Sequence, residues 1–278
     1  MCEFCTKHGE GKKWYLNASN YATELLKDLE RQKFIEHFFE EVIRKGNRKI
    51  SYLEKIFQGK MLLPQRIRQR LTNGSLKSHF GQVIPLEEIP KILAMATSVT
   101  RITCGCRWAA EKQESRTCYG ISTGPPDWYD HLDLDFFGSP ELSSFEVLSP
   151  EVACHAMAED DRKGMVHSLW TFGTPFIGAI CNCESQYCLA LRSTVGQKIP
   201  VMFRAEYIAA IDQSKCNGCR ACERNCQFNA IEFNGKKQPS RIDPQKCFGC
   251  GVCRAVCPEE AISLQQRTAH PVAAHLWM

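Results

Sequence analysis

The sequence lacks long apolar segments, a large net charge and the common nucleotide-binding motifs. No apolar run approaches the roughly 20 residues that span a bilayer, and the first 15 residues lack the apolar core of a signal peptide. Neither G-x-G-x-x-G after a strand nor G-x4-G-K-[ST] occurs, so no dinucleotide or triphosphate site is indicated. A formal net charge of +4 is too small to indicate nucleic-acid binding. We therefore expect neither a membrane span nor a nucleic-acid partner.

Cysteine is the unusual residue, with 17 in a chain of 278. So many cysteines often form a disulfide scaffold, but such scaffolds belong to short secreted chains. A hydrophobic content of 44% and a charged content of 24% are those of an ordinary globular protein. The combination predicts a cytoplasmic protein whose thiolates bind metal in a reducing environment.

The strongest pattern is an internal repeat with an offset of 31 residues, between residues 211–231 and residues 242–262. Ile-Asp, Lys-Cys, Gly-Cys, two further cysteines and Ala-Ile recur at the same spacing in both copies. The cysteines of each copy follow the pattern C-x2-C-x2-C-x3-C. A structural zinc site needs only four ligands, so zinc would leave half of these cysteines unused.

Residues 205–264 resemble the bacterial ferredoxins that hold two [4Fe–4S] clusters. In that family, three cysteines of one copy and the fourth cysteine of the other bind each cluster. The resemblance implies a pseudo-twofold fold and one-electron transfer at low potential. It assigns one cluster to Cys216, Cys219, Cys222 and Cys257, and the other to Cys247, Cys250, Cys253 and Cys226.

The two copies also differ at one informative position. Gly218 and Gly249 recur in both copies and permit the backbone to pass close to a cluster. Pro258 follows the fourth cysteine of the second copy, as is usual for this run of residues. Gln227 stands at the corresponding position of the first copy.

Nine cysteines lie outside the repeat, and six of them form two patterned groups. These groups are Cys104 and Cys106 followed by Cys118, and Cys181 and Cys183 followed by Cys188. A C-x-C pair places two sulfurs within reach of one metal or cluster. We predict a third metal site, most simply an iron–sulfur cluster, from both C-x-C pairs, with Cys118, Cys188 and His167 as alternates. Buried thiols without a metal are the other interpretation.

Motifs upstream of the repeat resemble a group of ferredoxin-like dicluster proteins of anaerobes. Those proteins carry C-x-C-R, G-L-V-H and C-N-C segments before their clusters. Here the corresponding residues are 104–107, 164–167 with Met in place of Leu, and 181–183. Residues 184–187 contain no cysteine, where those proteins often have more. The resemblance implies enough thiols for one further site.

The remaining three cysteines are less informative. Cys2 and Cys5, with His8, form an incomplete ligand set near the start of the chain, and a mobile terminus is the alternative. Cys154 lies on a helix predicted over residues 149–161, where we expect a core residue. The neighbouring His155 is expected to be an ordinary surface or core histidine.

Apolar periodicity predicts an α+β protein. The predicted regions are a helical N-terminal region (1–103), a mixed, cysteine-containing middle region (104–204), the ferredoxin module (205–264) and a C-terminal tail (265–278). The clearest helical pattern covers residues 20–45, and a further helix is predicted over residues 87–98.

These patterns predict an iron–sulfur electron-transfer protein, either a ferredoxin or the ferredoxin-like subunit of an anaerobic oxidoreductase. Its partner would be a redox protein or a catalytic subunit. Residues 1–91 hold 17 Lys and Arg against 11 acidic residues, whereas residues 127–161 hold ten acidic residues and no Lys or Arg. Either stretch could be solvated surface or could dock that partner, because complementary charge steers encounters. Two alternatives stay open: an enzyme with a substrate-binding cluster in the middle region, and a redox sensor that uses the N-terminal C-x-x-C.

Overall fold

The computed structural model describes residues 13–57, 62–124, 128–233 and 239–278. Its α-helices are α1 (Leu29–Glu36), α2 (Lys45–Phe57), α3 (Gln65–Ser78), α4 (Ile89–Leu93), α5 (Gly105–Glu111), α6 (Pro150–Arg162), α7 (Leu189–Leu191), α8 (Ala221–Arg224) and α9 (Val252–Ala255). Its strands are β1 (Gly81–Val83), β2 (Ser98–Ile102), β3 (Cys118–Ser122), β4 (Glu146–Leu148), β5 (Val166–Thr171), β6 (Ile177–Cys183), β7 (Met202–Phe203), β8 (Tyr207–Ile211), β9 (Ile231–Glu232), β10 (Arg241–Ile242) and β11 (Ile262–Gln266).

Shorter helical turns connect these elements. The 3₁₀ turns are Trp14–Leu16, Ala18–Tyr21, Thr23–Lys27, Leu86–Glu88, Trp128–His131, Leu134–Phe137, Arg267–Ala269 and Ala273–His275. Two π-helical turns, Phe39–Arg44 and Arg192–Gly196, precede α2 and follow α7. The mixture of helices and sheets confirms the predicted α+β class and the helical character of the N-terminal region.

The predicted helix over residues 20–45 is divided in the structure. Its first part consists of 3₁₀ turns, and α1 begins only after Asp28, whose carboxylate accepts a hydrogen bond from the backbone N–H of Arg31. Such a cap satisfies an orphan N–H group at a helix start and fixes where the helix begins. The helix predicted over residues 87–98 is shorter, because α4 ends at Leu93 and β2 begins at Ser98. By contrast, Ser149 caps α6 close to the predicted start of that helix.

A seven-stranded sheet in the order β4-β2-β3-β6-β5-β1-β7 forms the centre of the molecule. The strands pair antiparallel except for β1 and β7, which are parallel. The boundary predicted at residues 103–104 falls between two strands of this sheet. The predicted N-terminal and middle regions thus share one sheet.

Buried apolar residues cover both faces of this sheet. On one face, Phe39, Trp170 and Cys183 belong to a core that extends into the C-terminal module. On the other face, Met157 of α6 packs with Ile180. Because successive strand residues point to opposite faces, this division also separates the side chains of β6.

The C-terminal module is built from two short sheets. Strand β8, at the start of the first copy, pairs with β11 at the end of the second, and β9 pairs with β10 in the same crossed manner. This exchange relates the two copies by a pseudo-twofold arrangement. The tail folds back onto the module, because Arg267 and Ala273 are buried and the N–H of Arg204 donates to the carbonyl of Trp277 at 2.8 Å.

Candidate metal centres

The cysteines of the repeat line two separate cavities in crossed sets. The first cavity, called here the outer site, is lined by Cys216, Cys219, Cys222 and Cys257. The second cavity, called the inner site, is lined by Cys226, Cys247, Cys250 and Cys253. Each cavity receives three thiols from one copy and the fourth from the other, which is the division expected for a pair of [4Fe–4S] clusters.

Matched backbone hydrogen bonds hold the two cysteine loops. The N–H groups of Cys216 and Cys247 donate to the carbonyls of Asp212 and Asp243, at 3.1 and 3.0 Å. The Asp212 carboxylate accepts from the N–H of Ser214, and the Asp243 carboxylate from the N–H of Gln245, both at 2.9 Å. The two loops therefore begin with the same Asx turn, which the matching aspartates of the repeat supply.

The fourth cysteine of each copy accepts a backbone hydrogen bond at its sulfur. The N–H of Ala230 donates to Cys226 Sγ at 3.3 Å, and the N–H of Ala261 donates to Cys257 Sγ at 3.4 Å. N–H groups directed at ligand sulfurs help to set the potential of a bound cluster. The Ala-Ile pair of the repeat therefore belongs to the site as well as to the fold.

Gly249 is required by a close backbone approach. It has φ +73°, and an added Cβ would lie 1.9 Å from the carbonyl oxygen of Tyr207. Gly218 has the same φ in the first copy. A side chain at Gly249 would therefore displace the loop that carries Cys247 and Cys250.

The donor set of both cavities fits iron–sulfur clusters. Every cysteine in the described ranges is a free thiol. Burial raises the pKa of Cys222, Cys226, Cys250 and Cys253 above the ordinary thiol value. Thiols in that environment stay protonated and inert unless a metal replaces the proton.

The outer and inner sites differ in exposure. Cys219 of the outer site is exposed, whereas Cys247 and Cys253 of the inner site are buried. The side chains of Phe228 and Phe248 stack beside the inner site with ring centroids 4.2 Å apart. A cluster at the outer site would lie near the surface, and one at the inner site would be shielded from water.

Two buried arginines flank the inner site. Arg267 is fully buried and Arg204 is nearly so, and both donate to the carbonyl of Cys247, at 3.1 and 3.0 Å. Burial lowers the pKa of Arg267 to about 10, so it remains a cation at pH 7. Positive charge at this position favours the reduced, more negative form of a nearby cluster.

The six patterned cysteines of the middle region also converge. They line one wall of a cavity of about 510 Å³ and are called here the six-thiol site: Cys104, Cys106, Cys118, Cys181, Cys183 and Cys188. This group contains the four ligands predicted from the sequence, Cys104, Cys106, Cys181 and Cys183. The predicted alternates Cys118 and Cys188 line the same cavity.

Local structure explains why these six thiols meet. Cys118 of β3 lies directly opposite Cys181 of β6 in the antiparallel pair, and Cys183 follows on the same face of the sheet. Cys104 precedes α5, and Cys106 lies in the first turn of that helix. Cys188 occupies the equivalent position before α7. Two helix starts thus bring three thiols toward three thiols on the sheet.

Cys104 lies closest to the other thiols of this group. Hydrogen bonding with Cys106, Cys118 and Cys183 holds the pKa of the buried Cys104 well below the ordinary thiol value. Their pKa values are raised by hydrogen bonding to the Cys104 sulfur and by burial. Thiols this close together can serve one cluster.

No three Cys, His, Asp or Glu side chains within the described ranges surround a point suited to a single metal ion. This holds for the outer and inner sites as much as for the six-thiol site. A cubane spreads its thiolate ligands over separate irons. A cluster site is therefore recognised by thiols around a cavity.

The structure places His167 apart from the six thiols. It lies opposite Asn182 in the β5–β6 pair, and its Nδ1 is 2.6 Å from Asn182 Oδ1. Its Nε2 is 3.5 Å from Asp161 Oδ1. Because Asn182 points to the other face from Cys181 and Cys183, His167 is not among the groups that could replace one of these thiolates.

Among the described residues, Cys154 is the remaining cysteine outside the repeat, and it does not line any of the three cavities. Cys154 lies on α6, partly buried against the second core, as a core residue would. His155 beside it is largely exposed and 3.4 Å from Glu159. The hypothesis of a metal site at Cys2, Cys5 and His8 concerns residues outside the described ranges.

Gln227 connects the inner site to the six-thiol site, which sequence reasoning missed. Its Oε1 accepts from the N–H of Ser185 at 2.8 Å, and its Nε2 donates to the carbonyl of Gly164 at 3.3 Å. Ser185 is two residues after Cys183, and Gln227 directly follows Cys226. The sequence does contain one indication of this role, because Gln227 replaces the proline that usually follows the fourth cysteine.

A comparison with protein families agrees with this geometry. Residues 209–264 match the model of the 4Fe-4S dicluster domain. The match implies [4Fe–4S] cluster binding by this segment and supports an iron–sulfur electron-transfer role. No curated protein sequence matches the chain. Within the described residues, no helix is both long and apolar enough to cross a membrane.

Proposed function

We propose that this chain is a cytoplasmic electron-transfer protein with [4Fe–4S] clusters in the outer and inner sites and a third iron–sulfur cluster in the six-thiol site. It would act as a ferredoxin or as the ferredoxin-like subunit of an anaerobic oxidoreductase. The observation that carries this proposal is the crossed division of the eight repeat cysteines between two cavities. The free state of all thiols in the described ranges is consistent with a reducing compartment.

Bound clusters supply one-electron transfer, and the chain's own residues decide where it occurs. The exposed Cys219 brings the outer site to the surface, where a redox partner can approach. Burial of Cys247 and Cys253 excludes water from the inner site. Gln227 and Ser185 then join the segments that carry Cys226 and Cys183. This order of sites supports a wire that runs from the surface to the large cavity.

Iron and acid-labile sulfide content tests the number of clusters. Anaerobically purified protein should contain about twelve irons per chain if all three sites are loaded, and about eight if only the repeat binds clusters. A value near eight would overturn the third cluster and keep the other two. A value near four or below would overturn the assignment of the repeat.

A double substitution tests the six-thiol site directly. Cys104→Ser with Cys183→Ser should remove about four irons and one component of the EPR spectrum of the reduced protein, because two neighbouring ligands are lost. The two components of the repeat should persist. Cys154→Ser is the matched control and should change neither quantity. Persistence of every component in the double variant would exclude a cluster at these thiols.

The large cavity beside the six-thiol site favours a second candidate function. An enzyme that reduces a substrate needs a space for that substrate next to its electron source. The six thiols form one wall of a cavity of about 510 Å³, which could supply that space. The redox-sensor alternative depends on Cys2 and Cys5, which lie outside the described residues. Turnover of a small substrate by the purified chain with a reduced donor would favour the enzyme, and co-purification with a catalytic subunit would favour the wire.

A further inference from the structure

The cavity beside the six-thiol site extends well beyond the thiols. Its floor is the sheet around Trp170 and Ala179, and its roof is formed by α2 and α3. Tyr52 and Leu71 line it and are 64% and 47% exposed, so it opens to the surface between these two helices. A volume of about 510 Å³ lies in the range of pockets that enclose small organic molecules.

His79 gives this apolar cavity a defined polar contact. Its Nδ1 is 2.6 Å from the carbonyl oxygen of Thr171, and a carbonyl can only accept, so Nδ1 carries a proton. Among the described residues, Nε2 has no hydrogen-bond partner. The ring stacks on Trp170 at 4.7 Å and meets Phe38 edge-on at 4.8 Å, which fixes its orientation.

The imidazole is neutral at physiological pH. Burial lowers the pKa of His79 to about 4, so Nε2 presents a lone pair at pH 7. The hydroxyls of Ser75, Ser78 and Ser193, which also line the cavity, donate to the backbone carbonyls of His79, Gly74 and Leu189. His79 therefore offers an uncommitted hydrogen-bond acceptor on a largely apolar surface.

We propose that this cavity binds a flat aromatic molecule with a hydroxyl or N–H donor, in the class of phenols and hydroquinones, and that His79 Nε2 accepts its hydrogen bond. Aromatic walls favour a planar ring because ring pairs gain energy beyond their buried area. A neutral acceptor without a partner selects a donor, because burying either group unpaired costs free energy. This inference goes beyond electron transfer and does not depend on a cluster at the six thiols.

Two probes of matched size test the proposal on the iron-loaded full chain at pH 7. The probes are 2-naphthol and 2-methylnaphthalene, which differ by a hydroxyl against a methyl group. In titrations followed by fluorescence, 2-naphthol should bind about three- to tenfold more tightly than 2-methylnaphthalene. This difference corresponds to the net contribution of one hydrogen bond. Equal affinities, or no binding of either probe, would overturn the proposal, and this comparison needs no variant.

Variants locate the contact. His79→Phe should bring the affinity ratio to about one while 2-methylnaphthalene still binds, and an unchanged ratio would overturn the role of His79. His155→Phe, on the exposed face of α6, is the control and should keep the ratio. Val42→Phe narrows the cavity and should weaken both probes, whereas unchanged binding would place the probes elsewhere. The iron content of the same samples separates failure of this proposal from failure of the third cluster. About eight irons per chain with an unchanged affinity ratio would exclude the third cluster and leave the aromatic site in place.

Discussion

The outer and inner sites have the same ligand pattern and different surroundings. In both, a backbone N–H donates to the aspartate carbonyl four residues earlier, and an alanine N–H donates to the fourth cysteine's sulfur. The outer site nevertheless has an exposed ligand, Cys219. The inner site has two buried ligands where the outer site has one, and it also has a stacked Phe228–Phe248 pair and two buried arginines.

Part of this difference arises from residues outside the repeated segments, and part from Phe228 and Phe248, whose counterparts in the other copy are Glu259 and Asn217. Arg204 precedes the module, Arg267 follows β11, and both donate to the carbonyl of Cys247. The carbonyl of Cys219 accepts a hydrogen bond from Arg224 at 3.3 Å, but this arginine is exposed, as are Asn217 and Arg220 beside it. The duplicated motif thus supplies two sets of thiols, and their surroundings leave the outer set nearer the surface than the inner set.

The largest expected effect that separates the two sites comes from Gly249→Ala. The added Cβ would meet the carbonyl of Tyr207, and the residue would keep an unfavourable positive φ. We expect a loss of roughly 2–5 kcal/mol in the free energy of unfolding and loss of the inner cluster. Anaerobic chemical denaturation and EPR would measure both.

Gly138→Ala is the control for this change. Gly138 also has a positive φ, +64°, but an added Cβ would meet no atom within 4 Å. It should cost only about 1 kcal/mol. Equal losses of unfolding free energy in the two variants would show that the positive φ alone causes the loss. The loop at the inner site would then tolerate a side chain.

An intermediate effect is expected from removing the buried cation at the inner site. Arg267→Met should lower the midpoint potential of the inner cluster on the order of 50 mV, because a nearby positive charge stabilises the added electron. The outer component should shift much less. Arg220→Met, beside the exposed Cys219 and paired with Glu223, is the matched variant and should barely move either potential. An EPR-monitored redox titration gives both values, and equal shifts of both components would contradict the comparison.

The smallest effect is expected at the link between the inner site and the middle region. Gln227→Ala removes the hydrogen bonds to Ser185 and Gly164 and should cost about 1 kcal/mol of unfolding free energy. Pro258→Ala, the equivalent position of the second copy, is exposed and should change it by less than about 0.5 kcal/mol. Thermal unfolding under anaerobic conditions measures both, and equal costs would mean that Gln227 does not hold the two regions together.

Sequence reasoning was most effective where chemistry demands a fixed local spacing. The repeat, its eight cysteines and helix α6 with its Ser149 cap could be read directly, because loops and caps depend on neighbouring residues. The divided helix before residue 45 was not predicted, since the cap at Asp28 and the π-helical turn over Phe39–Arg44 interrupt an otherwise continuous apolar pattern. His167 was grouped with the thiols because sequence distance does not show which face of a sheet a residue occupies.

The sequence by itself determined that this chain has a 4Fe-4S dicluster segment, because ligand spacing within one loop is a local property. Only the tertiary structure decided that six distant thiols share one wall of a cavity, that Gln227 bridges two sites and that Arg267 lies beside the inner one. Those relations join residues far apart in the chain. They depend on strand pairing and packing, which place side chains together irrespective of their separation in sequence.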